Sequence, residues 1–228
     1  MPTIEDARRW YDSPKTNQPP DPVHGFDHVL RVYSMAERLA LSEGADLEIV
    51  HAAALLHDVP GTEQPPIQDQ SADKIEKEVR FNHHHSAAEF SQQKLKSEGW
   101  SEERIAAVQH CIRSHRFRED SEKPETLEAK VLFDADKLDA IGAIGVARAI
   151  AYATCAGQPA YAMPSKQFLE TGIKEDNEVH SAYHEYLFKL VKLKDRLYTP
   201  AARMLATERH SFMEKFFKRL ELEIKGEQ

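Results

Sequence analysis

The chain has 228 residues, 41% of them apolar and 30% charged, and its 30 Lys and Arg against 38 Asp and Glu give a formal net charge of −8. That length suits one domain with a substantial core, and the composition excludes an intrinsically disordered chain. The acidic excess opposes tight binding to duplex nucleic acid or an anionic membrane, since both require clustered cations. Cys111 and Cys155 are too few for a disulfide framework or a four-thiolate metal site. The first ten residues carry Glu5, Asp6, Arg8 and Arg9 and no apolar run, so we expect no secretory signal, no membrane span and a reducing, cytoplasmic location.

The periodicity is helical nearly throughout. Asp27 is placed to cap a helix in which Val32, Met35, Ala36 and Leu39 recur at three- and four-residue spacing until Gly44 stops it. Residues 47–59 form the next, with Leu47, Val50, Ala54 and His57 on one side and Pro60-Gly61 as terminator. Ser101 opens a helix with Ile105, Val108 and Ile112 in phase, and residues 127–139 bring Val131, Ala135 and Leu138 together. Thr199 before Pro200 pairs a capping hydroxyl with proline at the first helical position, and the helix that follows is read with Phe212, Phe216 and Leu220 on its apolar face. Loops are expected at residues 13–21, 60–70, 118–124 and 157–166. Strand-like alternation, internal repeats and low-complexity tracts are absent from the sequence.

Among twelve histidines the sharpest signal is His57-Asp58, at the end of an apolar helix. Adjacent side chains on a helix diverge by about 100°, so both can converge on one ion lying off the helix edge, whereas a strand would send them to opposite faces. Capping of the helix carbonyls by His57, with Asp58 starting a turn, explains the same dipeptide. His28 falls in the first turn of its helix. Asp136 lies among Val131, Leu132, Ala135 and Leu138, where a carboxylate is costly to bury unless paired or coordinated. Asp139 sits deeper in that apolar stripe, and an internal ion pair with an arginine such as Arg148 accounts for it as well as a functional role does.

The ordered set His28, His57-Asp58 and Asp136, on three helices, resembles the HD-domain metal-dependent phosphohydrolase superfamily. The strings HGFDHVLRVYSMA, AAALLHDV and DADKLDAIGAIGVARAIAYA are similar to small bacterial HD proteins that release pyrophosphate from nucleoside triphosphates. The resemblance covers roughly residues 20–165. It implies an all-α, single-domain HD-type bundle over residues 1–228, with C-terminal helices at 177–224 packed on the motif-bearing core. It implies a divalent metal ion held by His28, His57, Asp58 and Asp136, with Mn²⁺ favoured and Fe²⁺, Co²⁺, Ni²⁺, Zn²⁺ or Mg²⁺ as alternatives. Two imidazoles and two carboxylates suit such ions better than Ca²⁺. The ion polarises a phosphoryl oxygen and supplies a nucleophile without a serine or cysteine.

The same resemblance places Asp58 in the catalytic set, with Lys137 and Arg31 as cations for the charge that spreads over phosphate oxygens. A solvated or ion-paired side chain is the alternative for each cation. The run His83-His84-His85, followed by His115 on a later helix, is similar to the pattern that holds a second ion in two-metal members. Three consecutive histidines span about 200° of a helix, so at most two face one site. His85 and His115 are the two assigned to a second ion or a phosphate contact, against a structural or surface role, while His110 and Cys111 are read as packing residues. No other cofactor is expected.

The sequence contains no G-x-x-x-x-G-K-[ST], G-x-G-x-x-G, G-x-S-x-G or H-E-x-x-H, which removes kinase-like, dinucleotide-redox, serine-hydrolase and zincin chemistry. Gly142 and Gly145 are read as permitting close packing rather than cradling phosphate. The function expected is hydrolysis of a nucleotide, a nucleoside or deoxynucleoside triphosphate yielding monophosphate and pyrophosphate. A nucleoside 5′-monophosphate phosphatase or other phosphoesterase, and a non-catalytic metal- and nucleotide-binding sensor, are the alternatives. The expected partner is a small phosphorylated substrate, with no duplex nucleic acid and no membrane, and the sequence assigns no oligomeric state.

Overall fold

A computed structural model describes residues 1–11, 25–59, 72–116 and 122–227, with residues 72–83 as backbone only. The described residues form helices and no strands: α1 (Ile4–Tyr11), α2 (Phe26–Glu43), α3 (Leu47–Leu56), α4 (Ala72–Ser97), α5 (Glu102–Ser114), α6 (Leu127–Asp139), α7 (Gly142–Cys155), α8 (Lys166–Thr171), α9 (Ala182–Phe188), a 3₁₀ helix (Leu190–Arg196) and α10 (Pro200–Lys225). The all-α expectation holds. No single described helix is long and apolar enough to cross a membrane. Of the expected loops, 13–21 and 60–70 lie outside the described residues, as does most of 118–124.

Local chemistry explains most helix ends. Ser101 and Thr199 accept N–H groups from Arg104 and Ala202, and Gly44 ends α2 in the left-handed region at φ 79°. Asp46 caps α3 through the N–H groups of Glu48 and Ile49, at 2.9 and 3.2 Å. Two starts and stops differ from the sequence reading. The residue before α2 is Gly25 in an extended conformation, and Asp27 lies inside the first turn with its carboxylate turned to Arg31. Helix α3 stops at Leu56, so His57 is its terminal cap.

The helices fall into two compact units, one running to Asp136 and the other from Lys137. In the first, α3 is the central element, with Ile49, Val50 and every residue from Ala52 to Leu56 buried. It packs against α2 and α5, and α4 packs on α5. Val32, Ala36 and Leu39 of α2 and Ile105, Val108 and Ile112 of α5 supply the facing stripes, as their spacing predicts. In the second unit α10 packs on α7 and the 3₁₀ helix. The buried stripe of α10 is Ala202, Ala206, His210, Met213 and Phe217, with Phe217 stacked on Tyr186 at 4.4 Å. Phe212 is 47% exposed, so the sequence-read face is wrong by one residue, a rotation of about 100°.

The corner between α6 and α7 bears out the packing role of its glycines. Gly142 has φ 78°, which a side chain adopts only with strain. A Cβ on Gly145 would stand 2.3 Å from the carbonyl oxygen of Ala140. Since that neighbour is backbone, it cannot swing aside. Gly145→Ala should cost about 1–3 kcal/mol of folding free energy; equal urea midpoints for variant and parent would refute the close approach.

Candidate metal centre

Both His57 and His115 sit just past the last turn of a helix, the apolar α3 and the amphipathic α5 respectively. Each anchors Nδ1 on the carbonyl three residues back, Ala54 at 2.8 Å and Ile112 at 2.5 Å. A carbonyl only accepts, so Nδ1 carries the hydrogen, and in the neutral ring Nε2 carries the lone pair. His57 is fully buried, and its Nε2 has no hydrogen-bond partner among the described residues. Burial lowers its pKa to about 4, with His115 and His28 pushing the same way and Asp58 and Asp136 opposing, so the ring is neutral near pH 7.

Three further side chains meet His57. Asp58 Oδ2 lies 3.6 Å from His57 Nε2 and 3.7 Å from His28 Nε2, and His28 Nε2 lies 3.4 Å from Asp136 Oδ1. One ligand atom each from His28, His57 and Asp136 fall within 4.8 Å of one another. The rings of His28 and His57 are steeply inclined at 67°, with their centroids 5.4 Å apart in a T-shaped arrangement. His115 adds Nε2 at 3.5 Å from Asp58 Oδ1. Two imidazole nitrogens and two carboxylates sharing one largely buried space are costly as they stand, and a borderline divalent cation would satisfy them together.

The remaining sequence-read residues are distributed differently. Arg31 holds Asp27 at 2.6 Å on the surface of α2, and Lys137 follows Asp136 on α6, half-buried. His85 is exposed. Of the two described histidine side chains of that run, His84 is the buried one, and its Nδ1 accepts from Arg116 Nη1 at 3.3 Å. Asp139 pairs with Arg148 at 2.6 Å inside the second unit, as the ion-pair reading expects. His110 is a hydrogen-bond node rather than a packing residue: its Nδ1 meets Glu122 Oε1 at 2.5 Å and its Nε2 accepts the Glu125 N–H. Tyr11 was missed by sequence reading altogether. Its hydroxyl receives the N–H of Asp58 at 3.2 Å, and burial together with the charge of Asp58 raises the phenol pKa well above its ordinary value.

The sequence profile of the HD domain family matches residues 25–141, which contain all four candidate ligands. The chain belongs to the HD family. This HD chain is 33% identical over 225 residues to the Bacillus subtilis (strain 168) protein YpgQ, covering 97% of this chain and 94% of that one. Among solved structures it is similar to B. subtilis YpgQ in complex with ADP, with a TM-score of 0.66 and 30% identity, covering 99% of the HD chain and 100% of the other. It is also similar to an HD-superfamily hydrolase from Bacillus thuringiensis, with a TM-score of 0.63 and 28% identity, covering 97% and 96% of the two chains.

Proposed function

We propose that this HD protein is a metal-dependent nucleotide hydrolase that cleaves a nucleoside or deoxynucleoside triphosphate to monophosphate and pyrophosphate. The observation that carries this reading is the convergence of His28, His57 and Asp136 within 4.8 Å, with Asp58 against both imidazoles. The ADP held by YpgQ supports a nucleotide-sized ligand. His28, His57, Asp58 and Asp136 would hold the ion, with Mn²⁺ favoured. When bound, it supplies Lewis-acid polarisation of a phosphoryl oxygen and activation of water.

The chain's own residues do the rest. The Ala54 carbonyl fixes the tautomer of His57 and leaves Nε2 facing the site. His115, anchored in the same way, presents Nε2 beside Asp58, where it can meet a phosphate oxygen or a second ion. Lys137 follows a ligand directly and is the cation we assign to the charge of the departing pyrophosphate. In the reaction, water oxygen bonds to the α-phosphorus, the α–β bridging bond breaks and pyrophosphate departs with the electron pair.

Hydrolysis of a triphosphate in ¹⁸O-labelled water tests this. Label in the nucleoside monophosphate with unlabelled pyrophosphate is expected. Label in orthophosphate, with diphosphate left behind, would place attack at the γ-phosphorus. Tight Mn²⁺ and ADP binding without turnover of any phosphate ester or anhydride would make the protein a sensor instead.

A further inference from the structure

Asp58 carries the candidate carboxylate, yet its backbone has left the helix. In a regular helix its N–H would go to the Ala54 carbonyl, four residues back. That carbonyl instead accepts His57 Nδ1 at 2.8 Å, and the Val59 N–H turns back to Leu56 at 3.4 Å. The Asp58 N–H is received by the hydroxyl of Tyr11, at 3.2 Å and 47 positions away. Tyr11 lies outside the 25–141 segment that matches the HD family, on a helix of its own.

Helix α1 is fastened on three sides. Ala7 is buried with Val29 and Leu55, of α2 and α3. Trp10 meets Phe90 of α4 edge-on at 5.4 Å, with the Lys94 ammonium over its ring. The ring of Tyr11 packs at 6.0 Å against Phe26, two residues before His28. The hydroxyl is thus presented from a packed helix to the Asp58 N–H, and rotation of that peptide would swing Asp58 Oδ2 away from His28 and His57.

We propose that Tyr11 is a positioning residue for the metal centre, its hydroxyl fixing the Asp58 peptide so that the carboxylate stays between the two imidazoles. This rests on the reading of His28, His57, Asp58 and Asp136 as metal ligands. Partners that orient a ligand in this way typically govern metal affinity by 10–100-fold.

The test is a Mn²⁺ titration of the metal-stripped full-length protein, following free Mn²⁺ by electron paramagnetic resonance. Tyr11→Phe keeps the ring and removes only the oxygen; its Mn²⁺ dissociation constant should rise about 10–100-fold with the helical circular dichroism unchanged. Trp10→Leu loosens the support of α1 but keeps the hydroxyl, and should lower the melting temperature with a clearly smaller loss of Mn²⁺ affinity than Tyr11→Phe. A parent that fails to bind Mn²⁺ removes the metal reading itself. A parent that binds, with Tyr11→Phe binding equally well, overturns the role of Tyr11 alone. Equal loss of affinity in both variants, or a Tyr11→Phe chain that does not fold, also overturns it, because α1 would then act only through packing.

Discussion

Asp58→Ala should give a folded protein with no measurable turnover. Its carboxylate contacts both imidazoles through Oδ2 and faces His115 through Oδ1, so it joins three histidines of the cluster. Lewis-acid assistance is worth several kcal/mol, and each 1.36 kcal/mol is tenfold, so the rate of nucleotide hydrolysis should fall by at least about 10³-fold. Stability should move the other way from activity. Without metal, Asp58 and Asp136 are two carboxylates around one histidine nitrogen, only 12% and 15% exposed, and removing one relieves repulsion. The metal-free variant should therefore melt no lower than the metal-free parent. Mn²⁺ at about a hundred times its dissociation constant should stabilise the parent by about 2.7 kcal/mol and the variant hardly at all. Turnover within tenfold of the parent would remove Asp58 from the site.

The metal-free protein should also lose stability in mild acid. An unfolded histidine takes its proton near 6.5, whereas buried His57 refuses it until about 4. Between those values the unfolded state binds more protons than the folded one, so stability falls as the pH is lowered through that window and is fully present above it. The 2.5-unit gap corresponds to a maximum loss of about 3 kcal/mol. Urea unfolding of stripped protein at pH 7.5, 5.5 and 4.5 measures the slope, and His57→Gln isolates it from other groups. Identical slopes for parent and variant would show that His57 is not held neutral by burial.

How legible these features are in the sequence depends on whether they are local. The caps at Ser101 and Thr199 and the stop at Gly44 are short-range chemistry, and the chain follows them. The start of α2 was misread because a capping preference favours Asp27, while the local backbone turns at Gly25. On α10, the adjacent pairs Phe212-Met213 and Phe216-Phe217 leave two neighbouring stripes open, and packing against partners such as Tyr183 and Tyr186 selects Phe217. The same ambiguity of one residue separates exposed His85 from buried His84, since the phase of α4 is set by packing against α5. His57-Asp58 stands out locally, at the end of an apolar helix, whereas the grouping of His28, His57, Asp58 and Asp136 is legible only through the resemblance to the HD pattern. Tyr11 sends no such signal. A tyrosine at the end of an amphipathic segment is unremarkable until the fold brings Asp58 to it.

The two helices that end at His57 and His115 aim more than side chains at the centre. The carbonyl end of a helix carries roughly half a negative charge, and here two such ends meet beside two carboxylates. A polyphosphate approaching that corner alone would be repelled. Binding should therefore be ordered, with the cation arriving first, or riding in on the nucleotide, and with the affinity for free nucleotide collapsing in a chelator.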